Sequence, residues 1–238
     1  MAKTAVILQP AYLPWLGYFN QVAQADVFVF FDTVQYTRRD FRNRNKILTK
    51  NNESKWLTVP VKSKGNFNIL IKDIEIDYSQ KWQKSHLQQI KEAYRNCDFF
   101  NEIYLILESQ IGEGYRFLSN LNMALTKAFS NYLELDTQFL IASEMDYDKG
   151  YNNASEHILH ILKTLDCDKY LTGSSSVNYL DVALLDGNGF AVKFHQYKHP
   201  VYKQANKNFM PYLSVVDLLM RHGKQSLSIF DVPQIWDN

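Results

Sequence analysis

The opening of the chain, residues 4–32, constrains the fold more than any later segment. Residues 4–8 form an apolar run with the composition of a buried strand. The loop Gln9-Pro10-Ala11-Tyr12-Leu13-Pro14-Trp15 follows and leads into residues 18–25, whose apolar positions recur at helical spacing. A second apolar run, 26–31, ends at Asp32. Strand, aromatic loop, helix, strand is the first unit of an open α/β sheet, and ligands bind such sheets outside the carboxyl ends of the strands. The prolines restrict the loop backbone and Gly17 permits close approach. Tyr12, Trp15 and Tyr18 give it flat, amphipathic surface suited to stacking on a sugar or a base.

The remaining pattern extends that unit. Residues 56–61 read as a strand stopped by Pro60, 62–68 as a turn, and 69–76 as a second strand with alternating side chains. Helical spacing covers 79–94, with Trp82, Leu87, Ile90 and Ala93 inward, then 101–107, 114–133 and 154–165. Short strands are expected at 139–142, 169–172 and 191–197, and Ser214 opens a last helix that Gly223 ends. The expectation is an α/β fold: a Rossmann-like, open, mostly parallel sheet with a helix-rich middle at about 79–133, in a single domain over 1–238.

Charge narrows the function classes. Lys+Arg 26 against Asp+Glu 25 leaves a net charge of +1, which implies no general polyanion-binding surface but allows local basic patches. One is visible at 38–46, where Arg38, Arg39, Arg42, Arg44 and Lys46 are interleaved with Phe41, Asn43 and Asn45 and preceded by Gln35 and Tyr36. Guanidinium forks match phosphate oxygens in pairs, so this segment is an anion-site candidate, with a solvated basic loop as the plain alternative. RNA is a poorer fit, because a nucleic-acid groove usually raises net charge further. Cys97 and Cys167 lie far apart without metal-ligand spacing and read as buried free thiols of a reducing compartment. No run approaches the length of a membrane span, and the expectation is a cytoplasmic protein.

Other polar residues each carry two readings. Asp32, at the expected end of a strand, suits a ribose hydroxyl, a metal, an amine or a base role, or a plain helix cap or turn. His86 shares a helix face with Trp82 and is either a proton shuttle or a packed side chain. His157 and His160 lack a third ligand nearby in sequence, and His195 and His199 show no metal spacing; no metal site is expected. Gly173-Ser174-Ser175-Ser176 follows a strand and offers hydroxyls and N–H groups to a phosphate, but it matches neither a Walker loop nor a hydrolase elbow. Ser214 and Asp217 fit a helix cap and an acidic first turn.

Three ordered blocks carry a resemblance. They are Gln9-Pro10, Tyr12, Pro14-Trp15 and Gly17-Tyr18-Phe19; Asp32, Val34-Gln35-Tyr36 and Asn43-Arg44-Asn45; and Tyr202-Lys203-Gln204, Phe209-Met210-Pro211 and Leu213-Ser214 with Asp217. On these the chain resembles the WbqC-like protein family nearly end to end. Some members carry His before the first Gln, where this chain has Leu8, so a role for that His does not transfer. The resemblance implies a place in bacterial surface-polysaccharide biosynthesis of the O-antigen type, without an assigned reaction. The opening unit is also similar to nucleotidyltransferases with paired active-site histidines, but the paired histidines are absent, so the analogy stops at the fold.

The combined expectation is a transferase that acylates or aminoacylates a nucleotide-linked amino sugar, using an acyl-CoA or other activated acyl donor. Arg38, Arg39 and Arg44 would hold the diphosphate. Tyr12, Trp15 and Tyr18 would pack the sugar or base, and Gln9, Gln35, Tyr36, Asn43, Ser174, Tyr202, Gln204 and Asp217 complete the expected binding set. Asp32, or alternatively His86, would act as base. A non-catalytic protein that docks sugar intermediates needs the same pocket but no base. A carbohydrate hydrolase would need two facing carboxylates, Asp32 and Asp217 being the candidates.

Overall fold

The computed structural model describes residues 3–65, 68–205, 208–230 and 236. Strands β1 (Thr4–Leu8), β2 (Val27–Phe30), β5 (Gln138–Ile141), β6 (Lys169–Gly173) and β7 (Ala191–His195) form one parallel sheet in the order β5-β2-β1-β6-β7. The chain moves outward from β1 through β2 to β5, then returns to the other side of β1 with β6 and moves outward to β7. That reversal opens a crevice above the ends of β1 and β6, the usual ligand position in a doubly wound sheet.

The central strands are continuous apolar runs because both of their faces are covered. Alternate side chains point to opposite faces. Val6, Phe28 and Phe30 pack with α1 (Leu16–Ala23), α4 (Leu118–Tyr132) and α7 (Val215–His222). Ala5, Ile7, Val27 and Val29 pack with α5 (Ala154–Leu162) and α6 (Val182–Asp186). Helices α2 (Trp82–Tyr94) and α3 (Phe100–Gly112) supply, with α4, the helix-rich middle and join the first of these cores through Trp82, Ile90, Tyr94, Ile103, Leu107 and Ile111. A five-residue helix, α8 (Ser226–Phe230), closes the described chain against α1 and α7.

The caps follow the expected chemistry. Ser214 Oγ accepts from Val216 N at 3.2 Å, and Asn153 accepts from Glu156 N at 3.0 Å. Gly223 ends α7 at φ +53°, and a Cβ there would lie 2.3 Å from the Phe99 ring, so both conformation and contact require glycine.

Two expected strands differ. Residues 69–76 form no ladder: they contain a 3-10 turn at Ile71–Asp73 and single bridges from Leu70, Glu75 and Ile76 to different partners. Ile71 and Ile74 are buried at the three-residue spacing of the 3-10 turn, while buried Ile74 and Ile76 supply the alternation seen in the sequence. The expected strand at 56–61 is shifted to β4 (Ser54–Thr58), antiparallel to β3 (Arg44–Leu48). Pro60 cannot donate to a ladder, and β3 hides its strand character behind Arg44, Asn45 and Lys46. In the expected turn 62–68, Asn66 and Phe67 lie outside the described residues. Cys97 and Cys167 are free and partly buried.

Candidate active site

A cavity of about 470 Å³ sits over the β1–β6 reversal. Its floor is the carboxyl edge of the sheet: Leu8 and Gln9 at the end of β1, Phe31 after β2, Thr172 to Ser176 at the end of β6, and His195 and Tyr197 at the end of β7. Trp15, Tyr18 and Gln21 come from the aromatic loop and α1, and Arg42 from the segment leading into β3. The lining carries Arg42 and no carboxylate, so the site favours an anion.

The loop is braced at several points. Leu13 is held at φ +44°, a strained position for a branched residue, and Asn45 Nδ2 donates to its carbonyl at 2.7 Å. Val215 N donates to Pro14 O at 2.8 Å, tying the loop to the start of α7. Asn122 Nδ2 donates to Arg42 O at 2.8 Å. Trp15 lies edge-on to Tyr197, ring centroids 5.4 Å apart, and contacts His199 and Tyr212. A Cβ on Gly17 would lie 2.3 Å from the Trp15 indole, which explains the glycine two residues after the tryptophan.

Two groups give the cavity its chemistry. Arg42 is largely desolvated, which pulls its pKa down despite Asp40 at 3.7 Å, and its Nε donates to Gln9 Oε1. A guanidinium only 21% exposed, with so little counter-charge, is poised for an anionic ligand. His195 is the second group. Its Nε2 lies 2.6 Å from Asn20 Oδ1, and Asn20 Nδ2 donates to the Phe230 carbonyl at 3.3 Å. Asn20 therefore presents an acceptor, Nε2 carries the proton, and Nδ1 keeps the lone pair. Burial pushes the imidazole down to about 4, so it is neutral at neutral pH. Nδ1 has no hydrogen-bond partner among the described residues. Nearby, Gln21 Oε1 is buried without a partner, a further polar atom left for a ligand or water.

Of the residues expected from sequence, Gln9, Trp15, Tyr18 and Ser174 line this cavity. The others stand elsewhere. Tyr12 Oη meets His86 Nδ1 at 2.9 Å inside the core, and burial pushes His86 down to about 4. Both Asp32 oxygens accept from Ser143, from N at 2.9 Å and Oγ at 2.6 Å, so Asp32 anchors the turn after β5; burial raises its pKa. Tyr202 Oη, Gln204 Nε2 and Arg221 converge on buried Asp217 at 2.9 to 3.2 Å. Asn43 Nδ2 donates to Val59 O, Tyr36 is buried beside the basic segment, and Gln35 bridges Leu70. Arg38 donates to Ser63 O, Arg44 to Arg39 O, and Arg44 lies over Trp56.

Arg42, Gln21, His195 and Tyr197 were not among the expected site residues. His195 ends a strand, the very criterion that singled out Asp32. Nothing in the sequence separates Arg42 from its four cationic neighbours. Among the described residues no three His, Cys, Asp or Glu side chains converge to hold a metal ion, and no helix is long and apolar enough to cross a membrane.

The model of the WbqC-like protein family matches residues 9–229, nearly the whole chain and every element that builds the cavity except β1. The chain belongs to the WbqC-like protein family. It is also similar to a Mycobacterium tuberculosis protein named "Uncharacterized protein Rv1507c", 33% identical over 226 residues, which are 94% of this chain and 96% of the relative. No solved structure matches the chain. In this WbqC-like protein the first motif block builds the cavity wall, the middle block braces it, and the last block ties the C-terminal segment to α7.

Proposed function

We propose that this WbqC-like protein is a transferase of surface-polysaccharide biosynthesis that places an acyl or aminoacyl group on the amine of a nucleotide-linked sugar. The observation that carries the reading is the pairing, in one carboxylate-free cavity, of desolvated Arg42 with a neutral His195 whose Nε2 is held by Asn20. Arg42, with the amide N–H of Gln9, takes the phosphate oxygens, and Gln21 Oε1 accepts from a sugar hydroxyl or the amine. Trp15 and Tyr197 pack the sugar or base.

His195 Nδ1 is the proton acceptor. The amine lone pair attacks the acyl carbonyl carbon and a C–N bond forms. The bond from that carbon to the donor's leaving group breaks, and the leaving group departs with the electron pair. The proton released from nitrogen passes to Nδ1 and then to the leaving group or water. A bound phosphate beside the imidazole raises its basicity. The donor is an acyl-CoA or another activated acyl compound.

One observation favours the alternative of a non-catalytic sugar-intermediate binder: an imidazole held at about 4 is a weak base when no anion is bound. Turnover separates the two. Purified protein is offered a nucleotide amino sugar with acyl donors, and N-acylated product is followed by mass spectrometry. Product formed by the native protein and lost in His195→Gln, with nucleotide-sugar binding kept, supports the transferase. Binding without product across the donors sinks it.

A further inference from the structure

The basic segment is divided by the fold. Arg42 enters the cavity, while Phe41, Arg44 and Lys46 lie against Trp56 of the β3–β4 hairpin. There Phe41 and Trp56 are unusually exposed for large apolar side chains, 45% and 39%, with ring centroids 5.9 Å apart. Arg44 and Lys46 project from alternate positions of β3 over the Trp56 ring, at 4.4 and 4.9 Å from its centroid. Exposed Arg39 passes its carbonyl to Arg44, fixing that guanidinium against the indole. Neither Arg44 nor Lys46 is ion-paired with a carboxylate among the described residues. The ridge begins at Phe41, adjacent in sequence to Arg42 of the cavity.

Among the described residues Arg42 is the one Lys or Arg lining the cavity, and the cations of the ridge lie outside that lining. Regularly spaced cations beside exposed flat rings are the combination that tracks a single-stranded nucleic acid, phosphates on the cations and bases on the rings or the guanidinium plane. The chain's net charge of +1 does not oppose this, because the charge is concentrated on one hairpin.

We propose that the β3–β4 ridge docks the single-stranded end of an RNA, and that the activated donor is an aminoacyl ester on its terminal ribose. This rests on the transferase reading of the cavity and narrows its donor class. The sugar amine attacks the ester carbonyl carbon, the C–N bond forms, and the bond to the ribose oxygen breaks. The ribose oxygen leaves with the electron pair and receives the proton taken up by His195. No further reactant is required.

The test is fluorescence anisotropy of the full chain with a labelled single-stranded RNA on the order of ten nucleotides long, over a range of salt. Binding should weaken linearly with the logarithm of salt, and Arg44→Gln or Lys46→Gln should each reduce the slope by about 0.7. Trp56→Ala should weaken binding by roughly 5- to 100-fold. These residues are partly or largely exposed, and thermal melting controls for folding. A second measurement offers the aminoacylated RNA with a nucleotide amino sugar and follows product.

Absence of RNA binding overturns the proposal. So does equal binding of heparin with no effect of Trp56→Ala, which marks a generic cation patch, or a preference for anionic lipid vesicles over RNA. Transfer from acyl-CoA but not from aminoacyl-RNA overturns the donor assignment while leaving the cavity reading standing. Loss of nucleotide-sugar binding in Arg42→Gln tests the cavity independently of the ridge.

Discussion

Two polar clusters of this molecule are built from the same kinds of side chain and stand in opposite states. In the C-terminal cluster, Tyr202, Gln204 and Arg221 all point at Asp217, and Gln204 also exchanges hydrogen bonds with the backbone of Met210. Its donors and acceptors answer one another, with Asp217 wholly buried. In the cavity over β1 and β6, Gln21 Oε1 and His195 Nδ1 have no such answer among the described residues, and partly buried Arg42 has Asp40 only at 3.7 Å. A satisfied network holds a fold together; an unsatisfied one is a place where a ligand gains by supplying what is missing. Motif residues of one family divide between these two tasks, and sequence spacing does not say which has which.

That contrast is open to attack by substitution. The largest effect is expected for Asp217→Ala, which leaves the Arg221 guanidinium buried without its carboxylate and the Tyr202 hydroxyl without its acceptor. It should cost about 3–5 kcal/mol of stability in urea unfolding. A loss under 1 kcal/mol, well below that range, would mean that the cluster is not structural. His195→Gln should do the reverse: turnover falls by about 10²- to 10⁴-fold with the melting temperature nearly unchanged. Unfolding without a specific loss of activity would make the imidazole a core residue like His86.

Arg42→Gln should weaken nucleotide-sugar affinity by roughly 10- to 100-fold, a charge-assisted contact of about 1.5–3 kcal/mol, and isothermal titration reads it. Here the folded protein should lose little, because removing a poorly paired, partly desolvated charge relieves its desolvation cost. Unchanged affinity would take the anion site away from the cavity.

The smallest effect sharpens the comparison by pH. His86, His157 and His195 are each held at about 4 by burial, against an ordinary 6.5. As pH falls, the unfolded chain takes up protons before the folded one, so stability present above pH 6.5 declines as pH falls toward about 4. The urea midpoint should drop across that window. A nucleotide diphosphate should move the His195 titration upward in NMR and leave His86, bonded to Tyr12 in the core, where it was. Equal movement of both would show that the ligand acts on the fold rather than in the cavity.

Much of the fold was legible because it rests on local chemistry. The apolar runs at β1 and β2, the helical periodicity of α2 and α4, and the Ser214 and Gly223 ends of α7 identify themselves without neighbours. β3 did not, since Asn45 faces inward only because a strained Leu13 carbonyl awaits it, a partner 32 positions away. Residues 69–76 misled for the same reason: Ile74 and Ile76 gave the alternation, but the backbone groups of the segment bond to separate segments.

The site divides along that line as well. The sequence by itself determined that a strand–aromatic loop–helix–strand unit would present Gln9, Trp15 and Tyr18 at a sheet edge, because propensity, proline restriction and hydrophobic spacing act over a few residues. Only the tertiary structure decided that Arg42 turns into the cavity while Arg44 turns onto Trp56. It alone decided that Asp32 is engaged by Ser143, and that Nδ1 of His195, unlike that of His86, has no partner among the described residues. Burial, hydrogen-bond partners and the charge state they impose are properties of side chains brought together from distant positions, and no local pattern encodes them.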